Sequence, residues 1–292
     1  MLRFARKPEA SKVTEQGINA SNSGTSHRRR VMPDNALPSS SGKPGAEYGK
    51  SYREWKNWEV SNFGRLGKSE SCYFDAEIKK ANIKTDRKIR ALEIGFGNGS
   101  FLTYARKKQW DIVGTEINKD LVEAARRLNF DCICTADLSA FPENTFDLVV
   151  AFDVLEHVSQ ENLLTFLREA KRILKDDGTF IARFPNGDSP FGLFNQNSDM
   201  THITVIGSGK VKYLANELGV ELVFVGGEAQ PLITGTLRRT IHGLFSIPIK
   251  KIINLFVSLV FFQGGAIAFC SLNLVMIFRT RKSSSITDSG GD

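Results

Sequence analysis

The stretch Ile89-Arg90-Ala91-Leu92-Glu93-Ile94-Gly95-Phe96-Gly97-Asn98-Gly99-Ser100-Phe101-Leu102 governs how the rest of the chain is read. Residues 89–94 alternate and are apolar enough for a strand, while Phe101, Leu102 and Ala105 recur at helical spacing. Three alternating glycines therefore fall at a strand-to-helix turn. Glycine enters positive-φ conformations freely, and without a Cβ it lets a ligand lie against the main chain at a helix N-terminus. A nucleotide-like ligand suits such a turn. A dinucleotide fingerprint, GxGxxG, needs glycine where this chain has Ser100.

Working outward, residues 110–116, 131–135, 146–152, 179–184 and 220–225 read as strands. Residues 71–81, 119–128, 160–174 and 208–218 read as helices, Lys175-Asp176-Asp177-Gly178 as a stop and turn, and 185–205 as a loop. Strands alternating with helices make an α/β fold, a parallel sheet covered on both faces. Ligands in such sheets bind beyond the carboxyl ends of the strands, near the point where strand order reverses. Glu93 stands at the end of the first strand, Glu116 at the end of the second, and Ala136-Asp137-Leu138 after the third. The fourth runs into Phe152-Asp153-Val154-Leu155-Glu156-His157. Glu116 is placed to accept from two ribose hydroxyls, and Asp137 from an adenine amine with Leu138 against the ring. Three carboxylates repel a pyrophosphate; they suit a ribose, an adenine and a cationic amino-acid end.

These residues resemble the class I S-adenosylmethionine-dependent methyltransferases. The resemblance is carried by residues 92–102, the Ala136-Asp137 step and residues 146–157, and it covers roughly residues 89–225. It implies a doubly wound, Rossmann-like, seven-stranded and mostly parallel sheet with the last strand antiparallel. It also implies S-adenosyl-L-methionine as cofactor, with Glu93, Gly95, Gly97, Asn98 and Gly99 at the methionine part, Glu116 at the ribose, and Asp137 with Leu138 at the adenine. Ile117, Phe152, Asp153 and His157 complete the candidate cofactor-binding set.

The loop 183–192 and Asp199-Met200-Thr201-His202 look like a narrower branch, the methyltransferases of O-antigen and other cell-surface glycan synthesis. That likeness implies O-methylation of a sugar or glycan intermediate. Two other readings stay open: a small aromatic or lipid-like acceptor of the quinone-precursor type, and a non-catalytic, cofactor-binding, membrane-peripheral partner. Transfer to a hydroxyl needs positioning, a dry site and a base. His202 is the candidate base, because imidazole titrates near neutrality, with Asp188 or Asp199 as its orienter or alternative. A loop-bridging role for His202 stands beside that reading.

Residues 252–278 hold no charged side chain, which by length passes as a membrane span. Gln263-Gly264-Gly265 interrupt the run, so the expected arrangement is an apolar helix over 237–262 and a last strand over 271–280. The helix carries Arg238, Arg239, Lys250 and Lys251, and a membrane interface, a buried helix and a dimer face all fit it.

The 292 residues carry 39 Lys plus Arg against 32 Asp plus Glu, a net charge of +7. Much of the surplus lies at Arg6, Lys7, Arg28, Arg29, Arg30, Arg279, Arg281 and Lys282, so the folded body is nearer neutral and does not point to nucleic acid. The expected organisation is a disordered basic leader over 1–50, a cap segment over 51–88, and a cofactor-binding core over 89–230. The helical insert follows over 231–268, then the final strand over 269–282 and a disordered tail over 283–292. Cys72, Cys132, Cys134 and Cys270 have neither disulfide nor zinc spacing, and no metal site is expected. No apolar segment follows the basic start, so the expected location is the cytoplasm, at the inner membrane face where the helix docks. The oligomeric state is left open.

Overall fold

The computed structural model describes residues 60–84, 87–232, 237–265 and 267–281. The leader, the tail and the aromatic residues Tyr48, Tyr52, Trp55 and Trp58 lie outside the described residues. Seven strands form one sheet: β1 (Arg90–Ile94), β2 (Asp111–Glu116), β3 (Asp131–Cys134), β4 (Phe146–Phe152), β5 (Leu174–Pro185), β6 (Glu221–Gly227) and β7 (Asn273–Arg279). Their spatial order is β3-β2-β1-β4-β5-β7-β6. The neighbours β3, β2, β1, β4 and β5 pair in parallel, and β7 pairs antiparallel with both β5 and β6.

Helices α1 (Lys68–Lys80), α2 (Ser100–Lys107), α3 (Lys119–Arg127), α4 (Gln160–Ile173), α5 (Pro190–Asn197), α6 (Ser208–Leu218) and α7 (Leu237–Phe261) complete the fold. The chain winds from β1 outward to β3, then crosses back to β4 beside β1. Strand order therefore reverses between β1 and β4, and the crevice for a ligand opens at their carboxyl ends.

Both central strands are apolar nearly throughout because each is covered on two faces. Leu92, Ile94, Val149 and Ala151 point into one core with Phe180, Leu163 and Leu167. Ala91, Leu148 and Val150 point into the other with Phe101, Leu102 and Phe74. Each fully buried large side chain of this kind contributes about 1.5–3 kcal/mol. α1 belongs to the second core: Phe74 packs its ring 5.2 Å from Phe101 and 5.5 Å from Phe152. The described part of the expected cap segment thus lies against the ligand end of the sheet.

Two expectations are corrected. Lys175-Asp176-Asp177-Gly178 does not separate a helix from a strand, because β5 already starts at Leu174 and pairs there with Phe146. The stop signal is instead a bulge: pairing shifts between Phe146 and Leu148, Asp177 takes φ +61°, and a Cβ on Gly178 would lie 2.7 Å from the Lys175 carbonyl. The 185–205 segment is likewise not all loop, since it holds α5. Ser189 accepts from the Phe191 N–H at 3.1 Å, and Pro190 starts the helix where a missing N–H costs nothing.

Candidate cofactor and acceptor site

The glycine turn joins β1 to α2. Gly95, Gly97 and Gly99 have φ of +66°, +51° and +75°, the left-handed region that a side chain strains. Gly95 and Phe96 donate to the Thr115 carbonyl at 2.8 and 3.1 Å, which ties the turn to β2. Gly99 has a packing reason as well: a Cβ there would lie 2.5 Å from the Phe63 ring. Asn98 holds the turn from the other side, its carbonyl accepting from Gly64 N–H at 2.7 Å and its Oδ1 lying 3.0 Å from Ser100 Oγ.

Glu116, at the end of β2, accepts three backbone N–H groups: Gly97 on Oε2 at 3.0 Å, and Ile117 and Asn118 on Oε1 at 2.8 and 2.9 Å. It fixes the glycine turn and the loop after β2 with one carboxylate. A carboxylate has about four acceptor sites, so one remains for a ligand. Glu93 is buried, and its Oε2 has no hydrogen-bond partner. Burial, reinforced by the Glu116 charge and opposed by a Leu102 backbone hydrogen bond, pushes its carboxyl well above the usual carboxylate range.

Asp137 is exposed and accepts from Ser139 N and Oγ at 2.8 and 2.7 Å; these bonds hold its carboxyl below the usual range. Leu138 does not stand beside it as a ring platform, for its side chain is 2% exposed in the hydrophobic core. The apolar surface at this strand end is Ile117, 53% exposed. An orphaned buried carboxylate oxygen, a glycine-rich turn and two further acceptors fit a ligand with a ribose and a cationic amino-acid end. They do not fit a pyrophosphate.

At the end of β4, Phe152 runs into Asp153, whose φ of +57° is strained for a residue with a Cβ. Asp153 is held there by Arg183 of β5, which pairs with its carboxylate and accepts the Asp153 N–H on its carbonyl at 2.8 Å. The next turn carries Glu156 and His157. The segment after α5 closes onto it, with Ile203 and Thr204 both donating to the Glu156 carbonyl at 2.9 and 3.0 Å.

This clamp brings His202 to the turn. Its ring centroid is 4.7 Å from that of His157, and its Nε2 lies 3.5 Å from Asp199 Oδ2 and 3.8 Å from Glu156 Oε1. Of the two aspartates expected near His202, the fold brings Asp199. Asp188 instead accepts from the Ser208 N–H at 2.7 Å and caps α6. Glu156, expected only as a structural or cofactor-side residue, joins the group because the 199–204 segment folds back onto its turn. A depression of about 490 Å³ lies away from this group, by the start of β5 and the end of β7, and is lined by Arg168, Arg172 and Asp176 among others.

Residues 92–182 match a family described as a methyltransferase domain. The fold is similar to that of an S-adenosylmethionine-dependent methyltransferase from Archaeoglobus fulgidus, at TM-score 0.52 and 19% identity over 79% of this chain and 98% of that one. It is also similar to a possible histamine N-methyltransferase from Thermotoga maritima, at TM-score 0.50 and 16% identity over 80% and 98%. In sequence, 142 residues are 30% identical to an uncharacterised protein of Methanocaldococcus jannaschii, covering 47% of this chain and 60% of that protein. A further match, 34% over 110 residues, is to the mitochondrial arginine-hydroxylase NDUFAF5 of Rattus norvegicus, covering 35% of this chain and 31% of that one. The chain thus spans less than two thirds of either curated relative. Residues 92–182 thus match a methyltransferase domain, the fold is one shared with S-adenosylmethionine-dependent methyltransferases, and S-adenosyl-L-methionine is the cofactor that this match implies.

Proposed function

We propose that the protein methylates a hydroxyl of a sugar or glycan intermediate, working at the surface of a membrane. The observation that carries this reading is the position of the His202 group. It stands at the carboxyl end of β4, the strand that forms the switch point with the glycine-bearing β1. S-adenosylmethionine, when bound, supplies a methyl group on a positively charged sulfur that leaves as a neutral thioether. Glu93, the glycine turn and Glu116 would hold its amino-acid and ribose parts, and Asp137 with Ile117 its adenine. His202 is placed to take the hydroxyl proton on an imidazole nitrogen as the acceptor oxygen forms its new bond to carbon, with Asp199 orienting the ring. Its side chain is 6% exposed, so water is largely excluded there.

The membrane part rests on α7. Leu244, Phe245, Ile252, Phe256, Leu259 and Phe261 all stand exposed, and within the helix only Val257 and Ser258 are buried. The 25 residues would be long enough to span a bilayer at about 1.5 Å each. Lys250 and Lys251 lie near the middle, however, where two charges would cost about 5–7 kcal/mol in hydrocarbon. A helix lying in the interface keeps these lysines among anionic headgroups and buries its phenylalanines.

Calorimetry with S-adenosylmethionine on wild type and Gly97→Arg tests the cofactor; equal binding by both would sink the assignment. Mass spectrometry of glycan and lipid-linked extracts, with and without the protein, should show a methyl-sized increment on one species. Flotation with anionic liposomes should carry wild type and leave a Phe245→Ser/Phe256→Ser/Phe261→Ser variant behind.

A further inference from the structure

Residues 189–208 contain no Lys, Arg or Glu, and their single Asp and single His are turned inward. Asp199, Thr204 and Ile206 are buried, while Met200, Ile203 and Val205 between them are 99%, 62% and 41% exposed. A segment that buries one face ordinarily alternates apolar with polar residues. Here the outward positions are apolar too. α5, immediately before, adds Phe191, Leu193 and Phe194 to the exposed set, with Phe194 75% exposed. The chain on either side of His202 therefore presents a charge-free apolar face to the outside, the kind of surface that marks a binding site.

This face is fastened to α7. Asn254 of α7 accepts from the Cys270 N–H at 2.8 Å, and Ser258 Oγ donates to the Gly265 carbonyl at 2.7 Å. The 268–271 segment is bound in turn to the start of α5. Asn186 Nδ2 donates to the Ala268 and Ser271 carbonyls at 2.9 and 3.0 Å, and the Phe191 ring lies edge-on to that of Phe269 at 5.8 Å. Leu272, next in the chain, is exposed as well. The two apolar surfaces are thus joined through a hydrogen-bonded connection.

α7 decides what covers them. It carries Arg238, Arg239, Lys250 and Lys251 and no acidic residue. A second copy packed on the same patch through a two-fold axis would bring these cations together. An anionic bilayer accepts both the cations and the phenylalanines.

We infer that α5 and residues 200–205 enter the same anionic bilayer as α7, and that the acceptor reaches His202 from the lipid side, carried on a hydrocarbon chain. The inference rests on the membrane and methyl-transfer reading above and adds a substrate class to it: an amphiphile resident in the bilayer. α7 supplies the part of the binding that salt screens, and the α5 face supplies a part that salt leaves untouched.

The full chain is floated with vesicles of phosphatidylcholine and phosphatidylglycerol. Phe194→Ser/Met200→Ser/Ile203→Ser, with α7 intact, should bind about tenfold or more weakly than wild type. Leu128→Ser, which removes an exposed apolar side chain at the end of α3, should bind as wild type does. S-adenosylmethionine affinity within about threefold of wild type shows that both variants fold. A bimane label on Met200→Cys, in a chain whose native cysteines are serine, should be quenched by brominated lipid, a readout that stands if the triple variant misfolds. Undiminished flotation of the triple variant, or an unquenched label, would overturn the inference. The membrane reading would survive that result if Phe245→Ser/Phe256→Ser/Phe261→Ser alone lost binding. Wild type that stays with the aqueous phase and runs as a dimer on gel filtration would remove both. For the acceptor, tritium from methyl-labelled S-adenosylmethionine, incubated with cell membranes, should appear in the solvent-extractable lipid. Label confined to water-soluble sugars would overturn the lipid-borne acceptor; no label in either fraction would remove the methyl-transfer reading and leave flotation to decide the bilayer face.

Discussion

Replacing Glu116 by glutamine tests whether one carboxylate holds the cofactor end together. The carboxylate accepts Gly97 N–H on one oxygen, and Ile117 and Asn118 N–H on the other. An amide of the same size has a single acceptor oxygen. In its better orientation it keeps the Ile117 and Asn118 bonds and turns an NH₂ toward the Gly97 N–H, donor against donor. At least one charge-assisted bond is lost, about 1.5–3 kcal/mol. For a body of this size each kcal/mol moves the melting temperature about 2–4 °C, so a fall of about 3–12 °C is expected. The freed Gly97 N–H loosens the turn against which the ligand lies. S-adenosylmethionine should therefore bind about 10–150-fold more weakly, the same free energy expressed as an affinity. Scanning calorimetry and ligand titration on the same samples read both quantities. A melting temperature within 1 °C of wild type, together with unchanged affinity at about 10% precision, would refute the reasoning.

Other outcomes follow from the same geometry. The raised carboxyl of Glu93 means that wild type, without ligand, loses stability as pH climbs from about 4.3 through the folded-state value. Glu93→Gln has no such titration, so its melting temperature should gain on wild type between pH 5 and 9; parallel curves would rule this out. Burial raises the Asp147 carboxyl, but the Arg90 N–H at 2.9 Å, Lys175 at 3.0 Å and Arg87 at 2.9 Å outweigh it and hold the group below its ordinary range. Its contribution is therefore present above about pH 3.9 and lost as pH falls through the folded-state value. Asp147→Asn should be less stable at pH 7 by about 1–3 kcal/mol, with the gap closing in acid, measured by urea unfolding at several pH values. Gly99→Ala combines a φ of +75° with a Cβ 2.5 Å from Phe63, and should cost about 2–5 kcal/mol in the same assay.

The central strands and the glycine turn were readable because their signals are local: a period of two, then residues without a Cβ, then a helical period. Glu93, Glu116 and Asp137 could be placed at strand ends by counting along those strands. Leu138 shows the limit of that counting, since an apolar residue after a strand can face the ligand or the core, and only the packing of the 138–140 turn decides it. The start of β5 was hidden because Asp-Asp-Gly signals a turn and a bulge in the same residues. α5 was hidden because Gly192, Asn195 and Asn197 are weak helix formers, and the Ser189-Pro190 start had to outweigh them. The meeting of Glu156 and His157 with His202 was out of reach of any spacing rule. It is made by backbone bonds from Ile203 and Thr204 across two loops.

The last strand is also the one that closes the sheet. β7 lies between β5 and β6, pairing Thr179 with Arg279 on one side and Glu221 with Arg279 on the other. Until residues 273–279 have been synthesised, β5 and β6 each present an open edge, the kind of edge on which chains add to one another. α7 is synthesised before β7, so its apolar face is complete while the β5 and β6 edges are still open. A chain ending before Asn273 would keep the whole of residues 92–182 and still lack the strand that joins the two parts of its sheet. Such a chain would leave β5 and β6 as open edges, the kind on which chains aggregate.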